Sequence, residues 1–538
     1  MGGAAADDGL PLYVVLLALV GAFLRFGYVY GVGDQDELIP SVLHLLDGSL
    51  FTQDWLVQTI TSGVNVRTYF LWGTALPSAV LPPWLTVFLL WAVVFVALAY
   101  GVHGLARELV RDWLAAALSV VVALVVTVKW TLGGNSVASN ALVPEGVAWA
   151  FAVPAITLFL QRRWLGAGAL LGLATWFHLL AGAQTALVLG VVGLVQAVAR
   201  ADLAGTRFKA ALVDLFRFGG VFLLVALPIL VPVVVDQLTV AGPAEVAVSP
   251  FYIHAQFRNP FHHLFSTFEV GYHLRFWPVV IFGVGAGVWL ARRSALRHGQ
   301  ALAAGGVLVA VLCALAVVFV EVVPVTIVAK LQFFKLTVLV MLVASILATA
   351  AVVRLLPAAL RAFGGRLLAL RRLGLVVTLV LVGLVGVLAV RGDGRPGDGL
   401  HPLRHLESPL GEVERWARAE TPEDALFAIP PSVSSFRTFA RRAVVANYAG
   451  FVFTDHDMQR WFARLMDVAP ISPPATGYGV KPMLDASYHR RTAADWQRLR
   501  TSYGVEYVLV DRSTARLPFP TAFENEDWTV YRPPEGRP

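Results

Sequence analysis

Asp34-Gln35-Asp36-Glu37 puts three carboxylates into four residues directly after an apolar run. Charges beside hydrocarbon are costly and tend to stand where they work. Two chemistries suit this cluster. Acidic groups at i and i+2 share a hard divalent cation such as Mg or Mn, while a single ionised carboxylate serves as a general base. The structural alternative is that Asp34 or Asp36 caps the helix that follows, with Glu37 in its first turn. Capping needs one carboxylate, and the sequence offers three. Arg25 precedes Gly33 by eight positions, about 12 Å down a helix at 1.5 Å per residue. It either snorkels or points into a cavity under the loop.

A second polar set follows far along the chain. His254, Arg258, Asn259, Pro260, His262, His263 and His273 fall within twenty residues that hold four of the twelve histidines. Arg258 and a protonated His262 or His263 suit a phosphate that gains charge as it leaves. Zinc is disfavoured, because adjacent histidines rarely chelate one ion and Pro260 interrupts helical spacing. A solvated loop with incidental histidines explains the same residues without function. His178 lies between two apolar runs, and Lys330 and Lys335 flank Gln332. Each is a candidate contact for a lipid phosphate, or else an interface residue.

The elements that must position these groups are membrane spans. The 538-residue chain is 57% hydrophobic and only 14% charged, and a soluble domain carries about 25% charged residues. Residues 1–394 hold 24 Lys+Arg and 17 Asp+Glu; residues 395–538 hold 18 of each. The basic excess therefore sits among apolar runs, and a nucleic-acid reading of the net charge of +7 fails. Eleven runs are long enough to span, at roughly 20 residues each: 10–32, 84–105, 113–128, 143–160, 164–179, 181–199, 218–235, 276–290, 302–320, 334–353 and 373–390. Loops after the even-numbered spans carry sixteen basic residues against six on the opposite side. The positive-inside rule places the N-terminus in the cytoplasm and the 395–538 tail outside. No cleavable leader is evident, the N-terminus being acidic and the first run long. The lone Cys313 excludes an internal disulfide.

The expected architecture is a polytopic α-helical membrane domain, 1–394, followed by an external α/β domain, 395–538. Long external loops at 33–69 and 236–275 carry the candidate residues. Leu38, Val42, Leu45 and Leu46 fall at helical spacing, which predicts an amphipathic helix along the outer membrane surface. A hinge at 391–399 leads into the tail. There helices are expected at 409–419, 455–467 and 491–502, and strands at 425–429, 443–446, 507–510 and 529–531. The tail carries no glycine-rich phosphate loop, Ser-His-Asp signature or metal spacing.

An acidic motif after the first span, an interfacial helix, about eleven spans and an external C-terminal domain together resemble the GT-C superfamily of membrane glycosyltransferases. The run from Asp34 through Asp47-Gly48-Ser49-Leu50 to Asp54-Trp55 is also similar to an uncharacterised bacterial GT-C-like group. In the tail that similarity extends over Trp416 to Ala425, with Thr421-Pro422, then Phe436-Arg437 and Arg441-Arg442. The resemblance implies inverting transfer of a sugar from a polyprenyl-phosphate donor to a glycan, lipid or protein acceptor. It implies Asp34 or Asp36 as base or metal ligand, with Glu37 beside them. Arg25, His178, Arg258, His262, His263, Lys330 and Lys335 would bind substrate. No WWD-type motif is present, Trp461 and Trp496 standing apart, so protein N-glycosylation is not expected. A lipid-linked glycan transporter and a non-catalytic scaffold are the alternatives. Transporters place polar groups at mid-membrane, whereas here they cluster at the span ends.

Overall fold

The computed structural model describes residues 10–199, 206–239, 248–369, 404–514 and 516–534, with positions 374, 376 and 380. Apart from those three positions, the expected span at 373–390 lies outside the described residues, as does the hinge at 391–399. Among the described residues six helices are long and apolar enough to cross a bilayer: Pro83–Val110, Leu179–Ala199, Thr206–Gln237, Val270–Arg292, Gly299–Val322 and Thr326–Leu355. Four shorter apolar helices, Leu12–Phe26, Trp113–Val126, Pro144–Leu160 and Trp164–Phe177, pack among them. Thr326–Leu355 buries 78% of its apolar window, and Thr206–Gln237 and Gly299–Val322 bury 17% each. The first is therefore the inner post of the bundle, and the other two turn apolar side chains outward, as spans facing lipid do. Small residues set the closest approaches: a Cβ on Gly283 would come within 2.6 Å of the Ala344 Cβ, so only glycine permits that crossing.

Between the first two spans the chain folds three short helices, Gln35–Leu46, Trp55–Thr61 and Thr68–Ser78. The first packs its apolar face into the protein instead of leaving it open for lipid. Its buried face is Leu38, Ile39, Val42 and Leu43, while Leu45 and Leu46 are exposed. Gln35, Asp36, Glu37 and Ser41 are buried as well, because the C-terminal domain covers this helix. One continuous core joins Leu38, Ile39 and Val42 of the loop to Phe439, Ala446, Tyr448, Phe451 and Trp461 of the tail. Gly31 holds φ at +77°, and a Cβ there would strike Phe439 at 2.8 Å. The chain thus needs glycine both for the turn and for the tail's approach.

The tail is an α/β unit with a five-stranded sheet in the order β2-β1-β3-β5-β4. Its strands are β1 Leu426–Ala428, β2 Ala443–Val444, β3 Tyr507–Asp511, β4 Thr521–Glu524 and β5 Trp528–Tyr531. β1 pairs in parallel with β2 and β3, and β5 pairs antiparallel with β3 and β4. Helices Pro409–Glu420, Asp455–Val468 and Ala493–Tyr503 match the expected segments; Val480–His489 is an additional one. Their starts have local causes. Ser408 and Thr454 accept backbone N–H groups of their first turns, and Thr492 and Asp495 form a reciprocal capping box.

Candidate functional site

The acidic motif separates into three fates. Asp36 is fully buried. Its Oδ2 accepts hydrogen bonds from Arg437 Nη1 at 3.0 Å and Asn447 Nδ2 at 2.7 Å, both from the tail. The same guanidinium donates from Nε to Asp54 Oδ2 at 2.6 Å. Asp54 also caps helix Trp55–Thr61 through Leu56 and Val57 N–H, and it accepts Val444 N–H at 2.9 Å. One buried cation thus serves two buried carboxylates, and backbone donors neutralise much of Asp54. Burial pushes Asp36 up to about 6 against the pull of Arg437 and Asn447. Its second oxygen, Oδ1, has no partner. Glu37 is also interior: it pairs with Arg67 and accepts Phe451 N–H at 3.0 Å. Burial raises its pKa as well.

Asp34 is the carboxylate that remains available. It stands at the start of helix Gln35–Leu46 without accepting a side-chain capping bond, and it is exposed. Lys335, Glu145 and Tyr478 lie within its electrostatic reach. Lys335 is nearly buried, its Nζ 3.1 Å from His178 Nε2. His178 Nδ1 in turn accepts Ala181 N–H at 3.1 Å. Arg258 faces both Glu37 and Tyr478. Its Nη2 donates to Ala449 O at 2.9 Å, and its buried Nε has no partner. His262 Nδ1 bonds to Gly133 O, so its neutral form keeps Nε2 as an acceptor.

Several expectations change on this evidence. Asp34 and Asp36 do not converge as donors for one cation, since Asp36 is interior and engaged by Arg437 and Asn447. Among the described residues no group of three or more His, Cys, Asp or Glu is placed to hold a metal. Arg25 is spent on the carbonyls of Val125 and Val126, the latter at 2.7 Å, at the end of a wide helical turn. Lys330 joins Asp455 Oδ1 at 2.8 Å and Gln237 Oε1 at 2.7 Å, fastening the tail rather than awaiting a phosphate. His254, His262 and His263 are buried, which disfavours their charged forms. Burial and the neighbouring Lys335 push His262 down to about 3, and burial with Lys330 does the same for His254. His263, buried against His254, is lowered well below the usual range.

These three histidines couple stability to pH. In the unfolded chain they take up protons near pH 6.5, and in the folded chain they do not. Stability therefore falls as pH drops through that value. From pH 7 to 6 the loss is about 2 kcal/mol for the three together. Asp36, with its raised pKa, opposes this only below about 6. Thermal unfolding in nanodiscs should show a lower Tm at pH 6 than at pH 7, and a smaller drop in His254→Gln. An unchanged Tm contradicts the assignment.

Sequence reasoning left out Arg67 and Asn447 and gave the tail no part in the site. Arg437 was visible only as half of a Phe-Arg pair. Tyr478 and Lys481 gave no signal, since neither belongs to a motif. In the structure Tyr478 stacks on Phe261 at 4.5 Å and 7° between planes. Lys481 sits over the rings of Tyr478 and Tyr448 at 5.1 and 5.6 Å.

Residues 408–468 match a family model described as a domain of unknown function, DUF6798. That segment contains Arg437 and Asn447, which grip the acidic loop. No curated protein matches the sequence. Among solved structures the chain is similar to ArnT from Cupriavidus metallidurans, determined bound to undecaprenyl phosphate. The TM-score is 0.51 over 97% of each chain at 15% identity. The chain accordingly shares the fold of that protein, a polytopic α-helical bundle followed by a small C-terminal sheet domain.

Proposed function

We propose that the chain is a membrane glycosyltransferase that moves a sugar from a polyprenyl-phosphate carrier to an acceptor hydroxyl at the external face. The observation that carries this reading is the exposed Asp34 carboxylate within electrostatic reach of Lys335 and Tyr478, the latter also within reach of Arg258. Proton transfer and charge stabilisation must lie on either side of one reacting centre, and this cluster provides both. The GT-C-like fold, shared with an undecaprenyl-phosphate-binding neighbour, supports the lipid carrier.

In the proposed reaction the acceptor oxygen gives its proton to Asp34 and bonds to the anomeric carbon. The bond from that carbon to the phosphate oxygen breaks, and its electron pair stays on the phosphate. Arg258, whose Nε is unpartnered, and Lys335 meet the phosphate. His262 accepts a hydrogen bond from the sugar or acceptor through Nε2. Asp36, Glu37, Asp54 and Arg437 hold the loop in place. Asp34 works as a base without a shared divalent ion, because Asp36 is committed to the tail.

Turnover tests the reading directly. Membranes carrying the chain should consume a polyprenyl-phosphate sugar and release polyprenyl phosphate. No release from any donor pool of the native host, with the protein folded, contradicts it.

A further inference from the structure

Lys481 is a cation near this cluster that the mechanism above does not use. It comes from helix Val480–His489 of the tail, yet it stands beside Arg258 of the membrane domain. The Arg258 guanidinium lies 4.9 Å from the centre of the Tyr448 ring, and the Lys481 ammonium lies 5.6 Å from the same centre. Tyr448 is fixed from both domains: its hydroxyl is 3.0 Å from the Phe257 carbonyl and 3.1 Å from that of Gly477. The two cations repel one another. Among the described residues neither has an ion-pair partner. The carboxylate nearest to Lys481 in sequence, Asp485, accepts Ser432 N–H at 3.0 Å. Two cations drawn together on one aromatic ring, with a buried guanidinium N–H left unpaired, form a site that an anion completes.

The reaction supplies an anion whose charge changes. A polyprenyl-phosphate sugar is a phosphodiester with one negative charge. Once the bond to the anomeric carbon breaks, the electron pair remains on the phosphate oxygen and the monoester approaches two charges, its second pKa being about 6. Arg258 and Lys335 already serve the first state, and a further cation is useful only as the extra charge develops. Groups that bind the later state more strongly accelerate the step. We propose that Lys481 and Arg258 together form the leaving-phosphate site, Lys481 meeting the charge that appears as the sugar departs. The site is then complete only when the tail is docked. This rests on the glycosyltransferase reading and deepens it.

The test uses the full chain in nanodiscs with three probes: undecaprenyl phosphate, its methyl phosphodiester, and inorganic phosphate. Wild type should bind the monoester about tenfold more tightly than the diester, the contribution of one charge-assisted hydrogen bond. Lys481→Gln should erase that preference and leave diester binding unchanged; Lys481→Arg should keep it. In turnover, Lys481→Gln should lower kcat with little change in KM. A preference that persists in Lys481→Gln overturns the proposal, as does wild type lacking it. Inorganic phosphate binding as tightly as the lipid would make this a free-phosphate site and overturn the leaving-group role. If folded wild type binds neither lipid, the glycosyltransferase reading itself fails.

Discussion

Asp34→Asn should abolish transfer while leaving the fold intact, whereas Asp36→Asn should keep both the fold and most of the transfer. An exposed carboxylate with no capping bond can be lost without disturbing its helix. Its proposed work is to take a proton, and removing a general base costs about 10²- to 10⁴-fold. Asp36 is in the opposite position. Its pKa is pushed up to about 6, and an amide oxygen at the same place still accepts from Arg437 and Asn447. Transfer in Asp36→Asn should stay within about tenfold of wild type, the scale of one altered hydrogen bond. Glycan profiling of a complemented deletion strain, with protein levels measured in parallel, separates the two. Full loss in Asp36→Asn with normal protein level, and retention in Asp34→Asn, would reverse the assignment.

Arg437→Ala should be the most destabilising single substitution in the contact between loop and tail. It strands Asp36 and Asp54, both interior, and removing one member of a buried ionic group costs about 3–5 kcal/mol. Lys at 437 cannot replace it, because one ammonium lacks the planar fork that reaches Asp54 from Nε and Asp36 from Nη1. Arg437→Met combined with Asp36→Asn should recover part of the loss by removing one stranded charge. Thermal unfolding in nanodiscs and limited proteolysis of the tail measure both effects. An Arg437→Ala variant that melts with wild type would show that the tail is not held by this group.

Sequence and structure agree where one force dominates. The spans are legible because the bilayer demands long apolar runs, and the third, fourth, fifth and sixth runs meet their helices within a few residues. The long tail strand β3 is legible for a similar reason, four of its five residues being buried. β4 is not, since it is an edge strand with no buried residue. Helix Val480–His489 carries Pro482 in its first turn and follows a glycine-rich stretch, which hides its period. The choice between Asp34 and Asp36 was closed to sequence for a different reason. What decides it is Arg437, 401 residues further along, and no local pattern encodes that pairing. The same contact explains the helix expected to lie on the membrane: its apolar face was legible, but not that the tail would cover it. The histidines were legible as a cluster, whereas their charge depends on burial that only the assembled loops provide.

In the proposed reaction a polyprenyl phosphate meets Asp34 across the cluster of Arg258, Lys335 and Lys481. The decisive measurement is an experimental structure of the full chain in nanodiscs with saturating undecaprenyl phosphate. The phosphate should lie within hydrogen-bonding distance of Arg258 and Lys481 and beside Lys335, with Asp34 facing it across the space for a sugar. Phosphate bound elsewhere, or Asp34 closed off in an ion pair in the occupied protein, would contradict it.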